Sequence, residues 1–270
     1  MISFFRTYAK LIAFLLGMSL LGSLTVIPYL RYTTVLPPGL NVPIDAVLFA
    51  SVINFTINSF IAILVGLTLG RRVGLGAPLL TAWLAKDSGA AQALSKRNGA
   101  PFDGKSLLAT VAFGVVAIGL TYLVDLGFQP HLPPTLAGGA TGEDVVPFWA
   151  GLLTMFHGGI NEELWMRFGF MSFVAWLLAA LFARRNQSAE RKPAWIYVVA
   201  IVAAAVLFGV GHLSAAPLMF AEVTTVLVVR IVVVNAIAGL AFGYLYWKKG
   251  LEHAMLAHMI GDVFLHGVIG

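Results

Sequence analysis

The chain lacks cysteine altogether: none of its 270 residues is a Cys. This absence excludes disulfide bonds, thiolate nucleophiles and cysteine-based metal sites. Charged residues are also scarce, at 11% of the chain, where a soluble domain carries roughly 25%. Neither a Gly-x-Ser-x-Gly elbow nor a His-Glu-x-x-His helix occurs, which removes two common hydrolase designs.

Hydrophobic residues make up 59% of the chain and are gathered into long runs. A helix needs about 20 apolar residues to cross a bilayer and satisfies its own backbone polar groups there. The runs are uninterrupted, whereas the strands of a membrane barrel would alternate. The sequence therefore predicts an all-α, polytopic membrane bundle of about seven transmembrane helices in contact with membrane lipid. The runs are Leu11–Leu30, Ile44–Leu69, Ser106–Phe128, Val145–Ala183, Ala194–Leu213, Leu218–Trp247 and Leu251–Ile269.

Basic residues flank these runs, which fits cytoplasmic loops better than nucleic-acid binding, so no nucleic-acid partner is expected. With seven crossings, the N-terminus and the connectors Arg72–Lys105, Arg184–Lys192 and Lys248-Lys249 fall on one side. The positive-inside rule then predicts a cytoplasmic N-terminus and a C-terminus outside. We expect one integral unit. Residues 1–144 form the N-terminal membrane helices with the basic cytoplasmic connector, and residues 145–270 form a catalytic helical core.

The fourth run carries an unusual polar stretch, from Asn161 to Arg167. Charges in an apolar run are costly and mark function. On a helix, Glu163 and Arg167 lie four residues apart and can pair, whereas Glu162 points about 100° away and is left for chemistry. The run is about twice as long as one crossing needs. It is therefore either one long tilted helix or two helices that break at the pair Gly158-Gly159.

Other ionisable residues occupy the later runs, and several share a helix face. Phe208 and His212 lie four residues apart, as do His258 and Asp262. One carboxylate and two imidazoles from three helices form a ligand set suited to zinc. They equally form a general base with oxyanion donors. Both designs activate water, and Asp262 could fix the tautomer of His258. The full set is Glu162, Glu163, Arg167, His212, Glu222, Arg230, His258, Asp262 and His266.

Three motifs in this order resemble the CAAX prenyl protease and bacteriocin-processing family of intramembrane proteases, also called the CPBP or Abi family. They read Glu162-Glu163-Leu-Trp-Met-Arg167, Phe208-Gly-Val-Gly-His212 and His258-Met-Ile-Gly-Asp262. The resemblance implies that Glu162 is the water-activating base and that Glu163 and Arg167 are architectural. It makes His212 and His258 metal ligands or stabilisers of the tetrahedral intermediate, with Asp262 in support.

The expected activity is hydrolysis of a peptide bond in a membrane-associated peptide or protein substrate, prenylated or bacteriocin-like. Asp262 stands where prenyl-processing members typically carry Asn, so the resemblance favours peptide cleavage more than a prenylated substrate. Zinc or another divalent metal is the implied cofactor, and a metal-free mechanism stays open. One alternative is a non-catalytic immunity or scaffold protein of the same fold. Another is a transporter that uses Glu162, His212 and His258 as a proton relay.

Overall fold

The structure is a computed structural model that describes residues 2–34, 36, 39, 41–84, 104–136, 146–183 and 192–265. Most of the connectors 72–105 and 184–192 and the C-terminal residues from His266 onward lie outside these ranges. The membrane orientation predicted from those two connectors can therefore be compared only with the cations that the structure describes.

The described residues form helices and no β-strand, apart from one isolated bridge between Thr135 and Phe220. This confirms the predicted all-α bundle. The first five helices are α1 (Ile2–Thr25), α2 (Ile27–Thr33), α3 (Ile44–Thr68), α4 (Pro78–Leu84) and α5 (Gly104–Phe128). The other five are α6 (Phe148–Phe182), α7 (Ala194–Gly211), α8 (Ala216–Met219), α9 (Thr225–Lys249) and α10 (Leu251–Asp262).

Six helical segments are long and apolar enough to cross a membrane, against the seven runs expected. They correspond to α1 with α2, α3, α5, α6, α7 extended through α8, and α9. The seventh run begins as α10, whose 12 residues rise only about 18 Å at 1.5 Å per residue. The sixth run was wrong at its start, because Leu218 belongs to α8 and Glu222 precedes the helix that begins at Thr225.

The long fourth run is one continuous helix and does not break at the glycine pair. The helix changes type along its length, since residues His157–Glu162 and Leu164–Met171 are π-helical. The core of the bundle packs around this helix, where Ile160, Leu164 and Phe168 are almost wholly buried. α6 is thus the central element, with α1, α3, α7, α9 and α10 around it.

One end of the bundle, which we call the basic end, gathers most of the described cations. α3 finishes there, α5 and α7 begin there, and α9 turns there into α10. Contacts across this end join these helices: Arg71 Nη1 donates to Tyr8 OH (2.7 Å), and Lys249 Nζ donates to Ser106 Oγ (2.9 Å). The cations at the basic end include Lys10, Arg71, Arg72, Lys105, Lys192, Lys248 and Lys249.

The turn between α9 and α10 depends on Gly250, whose φ of +104° lies in the region that favours glycine. A Cβ atom there would also stand 2.5 Å from Cδ of Pro78. Next to it, the Leu251 N–H donates to the Gly76 carbonyl (3.0 Å), which holds the start of α10 against the segment before α4. The turn therefore sets where α10 enters the bundle.

We expect Gly250→Ala to lower the stability of the protein in detergent by about 1–3 kcal/mol, the cost of such a backbone conformation for a residue with a Cβ. The thermal unfolding midpoint measures this loss. Gly119→Ala in α5 is the matched control, because a Cβ there meets nothing within 4 Å. An equal change in both variants would contradict a special role for the turn.

Candidate active site

The site is built on Glu163, whose side chain is completely buried. Its Oε1 atom lies 3.1 Å from Nη1 of Arg167 and accepts a hydrogen bond from Nδ1 of His258 at 2.8 Å. The contact to Nη1 is an ion pair without hydrogen-bond alignment, so its attraction is mainly Coulombic. One carboxylate oxygen thus joins the first and third sequence motifs, from α6 to α10.

Arg167 is also completely buried and is held on several sides. Its Nη2 donates to the Gly239 carbonyl of α9 (3.2 Å). Its guanidinium lies 5.0 Å from the ring centroid of Phe208 and 5.5 Å from that of Phe242, within the range of cation–π attraction. These contacts hold the guanidinium of Arg167 next to Glu163, and the architectural role expected for this pair stays a prediction.

The two π-helical segments meet at Glu163, the residue between them. Such segments are rare, have wider turns than an α-helix and often occur at functional sites. Here Ser172 Oγ donates to the Arg167 carbonyl five residues earlier (3.3 Å), a spacing that matches the wider turn. The adjacent carboxylates have different surroundings, since successive residues of a helix point in different directions: Glu163 is buried, and the side chain of Glu162 is 19% exposed.

His258 is held between three carboxylates. Because a carboxylate only accepts, the short contact to Glu163 assigns a proton to Nδ1. The other ring nitrogen, Nε2, lies 3.6 Å from Glu162 Oε2 and 3.6 Å from Asp262 Oδ1. Glu163, rather than the expected Asp262, therefore fixes the tautomer of His258. The ring itself stacks on Phe242, with centroids 4.5 Å apart.

His212 lies where α7 ends, at the first residue of the 3₁₀ turn His212–Ala215. Its Nδ1 hydrogen-bonds the Phe208 carbonyl (2.8 Å). Since a carbonyl only accepts, Nδ1 carries the proton and Nε2 is directed away. The Phe208 ring packs edge-on against His212 and His258, with centroids 4.6 and 5.8 Å away. Phe208 thus brings the second and third motifs together.

Gly158 allows α10 to approach α6 at the acid cluster, which consists of Glu162, Glu163 and Asp262 around His258. A Cβ on this residue would collide with the carboxylate of Asp262 and lie 3.0 Å from Nε2 of His258. The glycine pair, for which the sequence offered a helix break as one of two possibilities, instead provides space for the neighbouring helix. This close approach is what places Asp262 next to the first motif.

Asn161 has no role among the predictions made from the sequence. It is completely buried and sits in a chain of hydrogen bonds between α1, α3 and α6. Trp165 Nε1 donates to Ser59 Oγ (2.8 Å), Ser59 Oγ to Asn161 Oδ1 (3.4 Å), and Asn161 Nδ2 to Ser23 Oγ (3.0 Å). The single serines in the apolar helices α1 and α3 could have indicated these contacts, because buried polar groups need hydrogen-bond partners.

His157 belongs to the same wall of the site. Its Nδ1 lies 3.2 Å from Asn161 Nδ2, and its ring packs against Phe55 and Trp165 with centroids 4.6 and 5.5 Å away. Together with Asn161 it anchors the first π-helical segment, directly before Glu162. These contacts make it part of the frame that positions the acid cluster.

A metal ion held by His212 and His258 stays a prediction from the sequence. Within the described ranges, no three carboxylate or imidazole groups converge closely enough to hold a metal ion. The Phe208 ring also lies against both imidazoles. The residues as placed do not fit a zinc site, which needs at least three protein ligands, and no step proposed below passes through one.

Residues 144–264 match the family model described as type II CAAX prenyl endopeptidase Rce1-like. This segment, 121 of the 270 residues, is similar to the Rce1-like family. The matched segment contains all three motifs and the helices α6 to α10. The six apolar helices, together with this similarity, support an integral, multi-pass membrane protein. No curated protein and no solved structure matched the chain.

The ion pair between Glu163 and Arg167 allows a prediction about stability. Arg167→Met leaves the Glu163 carboxylate buried without its cation, so we expect a loss of about 3–5 kcal/mol in stability. Adding Glu163→Gln removes the charge but keeps an acceptor for His258, so the double variant should recover part of this loss. Thermal unfolding in detergent measures both.

Arg72→Met is the matched control, because Arg72 is exposed and its loss should change stability little. A double variant no more stable than Arg167→Met would show that the unpaired carboxylate is not the cause.

Proposed function

We propose that the protein is an intramembrane endopeptidase in which Glu162 activates the water that attacks a peptide bond. The main support for this proposal is that the two adjacent acids have different environments. Glu163 is buried and engaged by Arg167 and His258, whereas Glu162 is partly exposed and faces the same imidazole across 3.6 Å. Two acids with separate environments are a recurring basis for acid–base roles. The Rce1-like match supports a protease.

In the first step, Glu162 takes a proton from water. Glu162 Oε2 and His258 Nε2 lie 3.6 Å apart, longer than a direct hydrogen bond, and both are close enough to contact the same water. The water oxygen bonds to the carbonyl carbon of the substrate. The electron pair of the C=O double bond moves onto the carbonyl oxygen, which becomes an oxyanion.

His212 and His258 are proposed to stabilise that oxyanion. His212 directs Nε2 away from its own helix, because Nδ1 is bound to the Phe208 carbonyl. In its cationic form this Nε2–H is a donor. The cationic form of His258 is favoured by the carboxylates of Glu162, Glu163 and Asp262 around its ring. Donors placed where charge develops lower the barrier of acyl transfer.

In the last step the tetrahedral intermediate collapses. The oxyanion re-forms the C=O bond, the C–N bond breaks, and the proton held by Glu162 passes to the departing amine nitrogen. The products are a carboxyl end and an amine end, and Glu162 returns to its ionised state. The substrate class that fits is a peptide segment of a membrane-associated protein, prenylated or bacteriocin-like. A non-catalytic immunity or scaffold role is the outcome if no cleavage occurs.

Glu162→Gln should abolish cleavage of a peptide reporter by the purified protein, because an amide cannot take the proton from water. Its thermal stability should stay near that of the parent protein, since the side chain is partly exposed. Glu222→Gln is the matched control, an exposed acid outside the site, and should keep full activity. Unchanged cleavage by Glu162→Gln would rule out the mechanism.

His212→Ala should lower kcat by about 10²–10³-fold, as expected for losing one donor to the oxyanion. KM should change little, because the donor acts on charge that develops in the transition state. His131→Ala, which removes an exposed imidazole, controls for loss of a histidine. A rise in KM with kcat unchanged would assign His212 to substrate binding instead.

A further inference from the structure

Two polar side chains of α3 face outward near the middle of the helix. Asn54 and Asn58 are exposed, and no charged residue lies between Asp45 and Arg71 on either side of them. At a rise of 1.5 Å per residue, the two asparagines stand at least about 13 Å along the helix from those charges. They therefore lie within the hydrocarbon core of a bilayer, which is about 30 Å thick. We call Asn54 and Asn58 the asparagine pair.

The asparagine pair uses only part of its hydrogen-bonding capacity. Asn58 Nδ2 donates to Asn54 Oδ1 (2.8 Å), and within the described ranges neither side chain bonds to anything else. Each carboxamide has one NH2 group that donates and one oxygen that accepts. A single bond between them leaves an NH2 group and an oxygen unused, where lipid tails offer no partner. Such groups are costly unless another protein surface supplies the missing bonds.

Other polar side chains in this part of the bundle are bonded within the chain. On α3, Thr56 Oγ1 donates to the Val52 carbonyl (2.8 Å), and Ser51 Oγ donates to the Val47 carbonyl (3.0 Å). The buried Asn161 has partners on two other helices. The asparagine pair differs from these groups because its unused donors and acceptors are on exposed side chains.

The outward side of α3 also has the residue spacing of a helix that pairs with another. Apolar residues recur there at alternating steps of three and four, with Asn54 in the series and Asn58 beside it. This is the heptad spacing with which two helices pack together. From first to last the series rises about 26 Å, close to the thickness of the hydrocarbon core. We call these residues the α3 seam: Val47, Ala50, Asn54, Ile57, Ile61 and Leu64.

The α3 seam lies on the side of the helix that faces away from the rest of the protein. At about 100° per residue, Ile63 lies about 180° around the helix from Asn54, and Ser59 about 140°. Both of these side chains are completely buried. On the seam, by contrast, Ile57 and Ile61 are each 54% exposed. The seam of one molecule can therefore reach the seam of another without displacing a helix of the described bundle.

We propose that two copies of this chain associate in the membrane through the α3 seam, as a parallel dimer joined by hydrogen bonds between their asparagines. All copies of one chain insert in one orientation, because the same basic segments direct each of them. Two α3 helices that meet along the seam are therefore parallel, and each asparagine meets its equivalent at the same depth. A carboxamide both donates and accepts, so it is its own complement across a two-fold axis.

A second copy fits this surface better than an unrelated helix does. It always brings carboxamides at the matching depth, whereas another protein would need polar groups at two positions four residues apart. Asn54 stands at a heptad position where an asparagine selects paired, in-register helices at some cost in stability. The dimer concerns α3, which lies outside the segment that matches the Rce1-like model. It does not depend on the proposed function.

Single-cysteine variants of the full chain test the geometry, since the chain has no cysteine of its own. Ile61→Cys lies on the seam. Phe60→Cys has nearly the same depth and is also exposed, at 40%, but points about 100° away. In isolated membranes oxidised with copper phenanthroline, Ile61→Cys should form a disulfide-linked product of twice the chain mass. Phe60→Cys, and Val116→Cys at a 70% exposed position of α5, should stay single.

Asn54→Leu combined with Asn58→Leu tests the hydrogen bonds. The full chain, fused to a fluorescent tag, is reconstituted into lipid vesicles at a series of dilutions, and the copies in each spot are counted by photobleaching. The dissociation constant of the dimer should rise by about 10-fold or more, the effect of losing bonds between membrane helices. Asn54→Gln keeps a carboxamide and should dimerise more tightly than the double variant. Thr56→Val, the matched control, removes a hydroxyl bonded within its own helix and should leave the constant unchanged.

Equal cross-linking of Ile61→Cys and Phe60→Cys would overturn the inference, as would a double leucine variant that dimerises like the parent. A parent chain that stays single at every dilution would do the same. A cross-linked product whose mass is not twice that of the chain would assign the seam to a different protein and also overturn it. If the double variant does not insert into membranes, the two cysteine variants decide the question.

Discussion

The structure depends on one buried charge pair, Glu163 with Arg167. A carboxylate and a guanidinium without solvent are expensive, and they persist only when further contacts surround them. Here the carboxylate also accepts from His258, and the cation lies between two aromatic rings and donates to a backbone carbonyl. The pair therefore joins α6, α7, α9 and α10. The arrangement of the other polar groups follows from it.

With Glu163 bound to Arg167 and His258, the neighbouring acid, Glu162, does not share the contact with Arg167. The two residues are adjacent in sequence, yet one faces the packed interior and the other a partly accessible space. Adjacent residues of a helix point in different directions, which separates the two carboxylates within one continuous helix. His258 then connects the two acids, since each of its ring nitrogens faces one of them. A structural contact and a candidate reactive contact thus share one imidazole.

The sequence predicted the helical class, most helix bounds and the Glu163–Arg167 pair, because apolar length and i,i+4 spacing are local signals. The sequence-based predictions failed where a residue distant in sequence determines the contact. They made Gly158-Gly159 a candidate break, although the space left there is filled by α10. They gave Asp262 the role of tautomer partner, which Glu163 holds because α6 and α10 cross at that level. Asn161 was missed, since its partners lie on α1 and α3.

The close crossing at Gly158 has a consequence for how such sequences can diverge. The hydrogen of this glycine and the carboxylate of Asp262 occupy adjoining volumes, so neither position can enlarge independently. In an alignment of related chains, a larger residue at 158 should occur only together with a smaller one at 262. Substitutions at these two sites, about a hundred residues apart, should therefore be inherited as pairs.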